Sequence, residues 1–95
     1  MPSIGVLTME IHLAGAHSLK EKRNVLKSLK DRLRREHNIA IAEIEYQDVW
    51  QRALLAAVTV SPSREHAARV LDSVEKHAAR HLGGGLVDAS LEWLE

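Results

Sequence analysis

Hydrophobic periodicity along the chain switches from two residues to 3.6 and back, twice over, and that alternation constrains the fold before any single residue is weighed. Residues Ile4 to Leu13 place Leu7, Met9, Ile11 and Leu13 on one face and Val6, Thr8, Glu10 and His12 on the other, the period of a half-buried strand. Ser18-Leu19-Lys20-Glu21 then reads as a capping box, in which the Ser18 hydroxyl accepts from the third helical N–H while Glu21 reaches back to the Ser18 N–H. Leu19, Val25, Leu26, Leu29 and Leu33 recur at spacings of a helix, and His37-Asn38 closes it. Ile39 to Tyr46 alternates again, and Gln47 to Gln51 reads as a turn. Ala53 to Val60 is apolar on both faces; periodicity alone fits a central strand or a buried helix, and its Val, Leu and Ala content is read as a strand.

Ser61-Pro62 signals a second helix, with Ser as the cap and Pro pre-organised for the first turn. Ala67, Val70, Leu71, Val74 and Ala78 form its apolar stripe, and Gly83-Gly84-Gly85 stops it by tolerating positive φ. Val87, Ala89, Leu91 and Trp93, interleaved with Asp88, Ser90 and Glu92, make the last strand. The order is βαββαβ. Right-handed crossovers put both helices on one face of a four-stranded antiparallel sheet, an α+β, ferredoxin-like plait. The expectation is one domain over residues 1–95, with an open sheet face displaying Thr8, Glu10, His12, Ile41, Glu43, Glu45, Asp88, Ser90 and Glu92, mixed and mostly acidic.

The chain has no cysteine, so disulfides, thiolate metal ligands and a thiol nucleophile are excluded together. No basic flank leads into a long apolar run at the N-terminus, and no run approaches the roughly 18 residues that would span a bilayer. A cytoplasmic protein with no membrane contact is expected. The formal net charge is zero, but its distribution is uneven. Residues 18–37 hold eight basic side chains against three acidic, and the rest of the chain holds five against ten. The molecule is therefore a charge dipole whose positive pole is its first helix.

The plait hosts many activities, so each must be tested on residues. An RNA-recognition motif stacks bases on aromatics of its central strands, whereas this chain has only Tyr46, Trp50 and Trp93 and no Phe. An acylphosphatase-like site needs a glycine-rich, Arg-bearing phosphate loop after the first strand, and Ala14-Gly15-Ala16-His17 is not one. His77 and His81 stand four apart, a spacing that can share a metal, but no third ligand accompanies them. Glu10 with His12, and Glu43 with Glu45, read as strand surface. A non-enzymatic protein without metal or cofactor is expected.

The first helix differs in kind. Lys20, Arg23, Lys27, Lys30 and Arg34 fall at spacings of three and four and line one stripe about 20 Å long, enough to span several phosphates. Ser18, Lys20, Lys22 and Arg23 gather at its N-terminus, where free amides and the helix dipole favour anions. The bland reading is a solvated face with an ordinary Lys27 and Asp31 pair. A second surface is suggested by Ile41, Tyr46, Trp50 and Trp93, which could form a patch for a partner or a second copy.

Ser18-Leu19-Lys20-Glu21-Lys22-Arg23 after an amphipathic strand, followed by Asp48-Val49-Trp50-Gln51-Arg52-Ala53 and a Val/Ala-rich strand, resembles the YlxP-like family, a bacterial domain of unknown function. The resemblance spans nearly the whole chain and implies a ferredoxin-like fold, with no established activity. Members are commonly encoded near translation-initiation and ribosome-maturation factors, which implies a place around the ribosome. Two readings stay open. In one, Ser18, Lys20, Lys22, Arg23, Lys27, Lys30 and Arg34 contact phosphates of ribosomal or other structured RNA. In the other, the chain is a dimeric interaction or regulatory module that works through the open sheet face or the Trp50 edge.

Overall fold

The computed structural model describes residues 1–94. Its elements are β1 (Ser3–His12), α1 (Leu19–Glu36), β2 (Ala40–Glu45), β3 (Arg52–Ser61), α2 (Arg64–Leu82) and β4 (Leu86–Leu94), the βαββαβ order expected from periodicity. The strands form one antiparallel sheet in the order β2-β3-β1-β4. Both helices lie on one side of it, α2 against β1, β3 and β4, and α1 against β2 and α2. The core fills the layer between, built from Leu7, Met9 and Ile11 of β1, Ala53, Leu55 and Ala57 of β3, Leu26, Leu29 and Leu33 of α1, and Leu71, Val74 and Ala78 of α2. Each of these leucines, fully buried, contributes on the order of 2 kcal/mol.

Strand β1 carries Gly5 where its neighbours carry large side chains. A Cβ there would lie 2.7 Å from Leu71 Cδ1 and 3.1 Å from the Trp93 ring, so its absence lets helix and edge strand meet over the central strand. Trp93 stands beside Gly5 on the helix side of β4, with the Arg64 guanidinium 4.5 Å from its ring. The loop ends are tied by side chains as well as backbone. Thr59 Oγ1, buried, donates to Asn38 O at 2.7 Å, and Gln51 Nε2 donates to Ala14 O and Ala16 O at 3.3 and 3.2 Å. These bonds fix where α1 enters and leaves the sheet.

Three local expectations are corrected. The second helix begins at Arg64, capped by Ser63, whose Oγ accepts from His66 N; Ser61 instead completes β3 and accepts from Ser63 N at 3.0 Å. Pro62 therefore precedes the cap. Val25 was placed on the buried stripe of α1 but is 38% exposed, and Lys22 takes the stripe position one turn before Leu26. In β2, Ile41 and Glu43, opposite Ala57 and Leu55, face the helices and not the open side, and a register irregularity after Glu43 sets Glu45 opposite Leu54 on the open side.

That last correction changes the open face. Opposite Ile4, Val6, Thr8, Glu10 and His12 of β1 stand Val60, Val58, Ala56, Leu54 and Arg52 of β3, with Ala40 and Ala42 of β2 alongside. On the other flank β4 contributes Leu94, Glu92, Ser90 and Asp88. The middle of the face is apolar. Its acids lie on the β4 rim, at Glu45 on the β2 edge opposite Leu54, and at Glu10, which is ion-paired with Arg52.

Candidate nucleic-acid interface

Helix α1 presents its basic stripe about a third of a turn away from its buried one. Leu26, Leu29 and Leu33 turn inward with Lys22, while Lys20, Arg23, Lys27 and Arg34 are exposed and Lys30 is half-buried. Lys27 Nζ lies 2.7 Å from Asp31 Oδ2, and Arg34 Nη1 lies 3.5 Å from Asp31 Oδ1. Arg34 also donates from Nη2 to Ile41 O at 2.9 Å. The Lys27 ammonium, hydrogen-bonded to it, holds the Asp31 carboxyl below its usual range, with Arg34 and Arg35 adding to the effect. One carboxylate thus offsets two cations. Among the described residues, Lys20, Arg23 and Lys30 make no ion pair with an acidic side chain.

Two members of the sequence-derived set hold other positions. The Ser18 Oγ accepts from Glu21 N at 3.1 Å, and the Glu21 carboxylate accepts from His17 N. The capping box therefore forms one residue further out than expected, and a carboxylate of the chain already sits at the helix N-terminus. Lys22 is 1% exposed. Its Nζ donates to the carbonyl oxygens of Tyr46 and Val49, the latter at 2.7 Å, and lies 2.8 Å from Glu43 Oε2. Lys22 is thus a clamp on the loop between β2 and β3, not a phosphate contact. The signal was present in the sequence: residue 22 precedes Leu26, Leu29 and Leu33 by four, seven and eleven, the spacing of the buried stripe.

The second patch is not assembled. Ile41 is buried on β2, Trp93 lies on β4 at the opposite edge of the sheet, and the Tyr46 ring is covered by the Arg52 guanidinium at 4.1 Å. Only Trp50, half exposed at the tip of the Lys22-clamped loop, is free to meet a partner. Tyr46 has φ +70°, a left-handed backbone that turns the chain out of β2 so that its carbonyl reaches Lys22.

The histidine contact in the fold joins His37 at the end of α1 to His77 on α2. His37 Nε2 and His77 Nδ1 are 3.1 Å apart, and His77 Nε2 is 3.6 Å from Glu36 Oε2. No cluster of three or more metal-ligating side chains occurs among the described residues. Burial, then the neighbouring His77, holds His37 below its usual range of 6.5; Arg80 acts in the same sense and Glu36 against it. The unfolded chain therefore binds the proton at His37 more readily, and the stabilisation from neutral His37 is present above pH 6.5 and lost as pH falls through the depressed folded value. Urea unfolding from pH 7.5 to 5 is expected to show that decline, and His37→Gln to flatten it. An unchanged slope in the variant would remove His37 as its source.

Among the described residues, no helix is long and apolar enough to cross a membrane. The family model described as "Protein of unknown function (DUF503)" matches residues 4–91. The uncharacterized protein YlxP of Bacillus subtilis (strain 168) is 42% identical over 71 residues, covering 75% of this chain and 77% of that protein. Among solved structures, the de novo designed protein Foldit4 superposes with a TM-score of 0.60 at 7% identity, covering 100% of this chain and 98% of that one. The de novo designed protein LFR1 1, with a ferredoxin fold, gives 0.52 at 17% identity, covering 99% and 84%. At such identities the structural likeness speaks for the ferredoxin-like fold alone. The family match over nearly the whole length, the YlxP relative and the βαββαβ plait agree: the chain belongs to the YlxP-like DUF503 family, whose function is unknown.

Proposed function

We propose that the exposed stripe of α1 contacts structured RNA through its phosphates, by charge and spacing and without reading bases. The observation that carries this reading is the set Lys20, Arg23 and Lys30, which have no acidic partner among the described residues and share one stripe with Lys27 and Arg34. Cations on successive turns of a rigid helix need no backbone ordering to meet a phosphate chain, and each contact releases counterions. The contact set is Lys20, Arg23, Lys27, Lys30 and Arg34; Ser18 supports it only as the cap that fixes where the helix begins.

The test is a titration against ribosomal RNA at several salt concentrations, with polyglutamate as the acidic control. The variant carrying Arg23→Glu, Lys27→Glu and Lys30→Glu is compared with one carrying Arg69→Glu, Lys76→Glu and Arg80→Glu on α2, which makes the same change in charge elsewhere. The α1 variant is expected to bind RNA at least tenfold more weakly and with a shallower salt dependence, while the α2 variant changes little. Equal losses in both variants would reduce the effect to net charge. Binding no tighter than to polyglutamate would end the proposal.

A further inference from the structure

From the open side of the sheet we infer a homodimer in which two copies of this chain pack their uncovered faces together. The inference is independent of the RNA reading, because both helices lie on the far side of the sheet from this surface. Ile4, Val6, Leu54, Ala56, Val58 and Val60 form an apolar band along β1 and β3, and Val60, toward its end, is 55% exposed. An apolar sheet centre of this extent, rimmed by polar groups, is a surface that soluble proteins normally cover.

Area and charge select a second copy as the occupant. Four strands about 4.8 Å apart and roughly nine residues long at 3.3 Å each give a projected face of about 570 Å². Side-chain relief makes the accessible area larger than its projection, so a pair of faces reaches the roughly 1,200 Å² at which stable interfaces begin. In an isologous pair the residues at the twofold axis meet their own copies. The middle of this face is Thr8 beside Ala56, small and uncharged, so nothing repels there. A twofold parallel to the strands sets β4 of one copy over β2 of the other, so Glu92 and Ser90 stand over Ala40 and Ala42, while Asp88 and Glu45, level with Leu54, meet at the outer edges, where both are exposed and solvent screens them. Glu92 reaches solvent past the short alanines. Glu10, nearer the centre, is already neutralised by Arg52.

The two basic stripes then lie on the outer layers of a four-layer assembly. Sedimentation equilibrium of the full chain from 1 to 100 µM tests the pairing. The expected result is a mass rising toward twice the 10.6 kDa of the chain. Thr8→Arg, at the middle of the face, and Val60→Lys, on the exposed apolar band, are each expected to weaken association at least tenfold. Leu91→Lys, 43% exposed on the helix side of β4, is expected to leave it unchanged. Circular dichroism melts of the variants identify any that fail to fold, and Val60→Lys, at a position already half in water, keeps the test valid if Thr8→Arg is lost. A monomer at 100 µM overturns the inference. So does a dimer that Leu91→Lys breaks and Val60→Lys spares, since that dimer would join through the β4 edge.

Discussion

Replacing Lys22 by methionine is expected to lower the unfolding free energy by about 3 kcal/mol or more, the cost of breaking a buried ion pair by removing one partner. For a domain of this size that corresponds to a fall of roughly 12–24 °C in the melting midpoint. Methionine keeps most of the aliphatic stem that packs beside Leu26 on the buried stripe, so the loss is electrostatic and not volumetric. The ammonium satisfies the carbonyls of Tyr46 and Val49 and faces Glu43, whose Oε2 is buried and accepts no other hydrogen bond. Without it, that carboxylate is left largely out of water without a counter-charge, and the loop bearing Trp50 loses its anchor. Adding Glu43→Leu should recover part of the loss, because an apolar pair needs no compensation where a lone carboxylate does. Lys27→Met, on the exposed stripe of the same helix, should fall within about 0.5 kcal/mol of the parent. Chemical denaturation of the four proteins decides the matter: a Lys22 effect as small as that of Lys27 would mean the clamp is ornamental.

The contrast between these two lysines also marks how far the sequence could be read. Element order followed from period alone, because strands of period two and helices of period 3.6 alternate with capping and glycine signals between them. Lys22 was hidden by its company: among eight basic residues its charge drew it into the anion-binding set, although its spacing from Leu26, Leu29 and Leu33 placed it with the core. The cause of its burial lies in Tyr46, Val49 and Glu43, more than 20 residues away, and no local pattern carries that. The open sheet face was misjudged for a related reason. Ala53 to Val60 was correctly read as apolar on both sides, yet in a plait with helices on one side only, its second apolar side must face outward. Glu43 faces Lys22 because its register sets it opposite Leu55 on the helix side, and the irregularity that follows, returning Glu45 to the open side, depends on pairing with β3 and leaves no mark in the periodicity of β2 itself. Among the basic stripe, Lys20, Arg23, Lys27, Lys30 and Arg34 were legible because helical spacing and charge agree there; which of them are neutralised depended on Asp31 and Ile41 O in three dimensions.

The glycine run offers a sharper division between conformation and space. Gly83 caps α2 in the left-handed region, with φ +54° and nothing within 4 Å of where a Cβ would stand. Gly83→Ala is therefore expected to cost only the left-handed backbone penalty, about 1 kcal/mol, and Gly83→Asn less. Gly85 is different, since its φ is not positive and its N–H donates to Leu82 O at 3.1 Å. A Cβ there would lie 2.8 Å from the backbone oxygen of His12 and 3.2 Å from that of Leu82. Neither oxygen can swing aside as a side-chain tip could. His12 N also donates to Gly85 O at 2.7 Å, so the end of β1 and the start of β4 are pinned together at this residue. Gly85→Ala is expected to destabilise by roughly 1–3 kcal/mol, the cost of forcing atoms into filled space, toward the upper end because backbone must move. The comparison has a built-in sign test. Where an alanine fits without strain, replacing glycine stabilises by about 0.4–1 kcal/mol through the unfolded chain. Urea unfolding that shows Gly85→Ala more stable than the parent would mean that the close approach of β1 and β4 relaxes freely; a loss exceeding that of Gly83→Ala would establish that packing, and not positive φ, requires glycine at position 85.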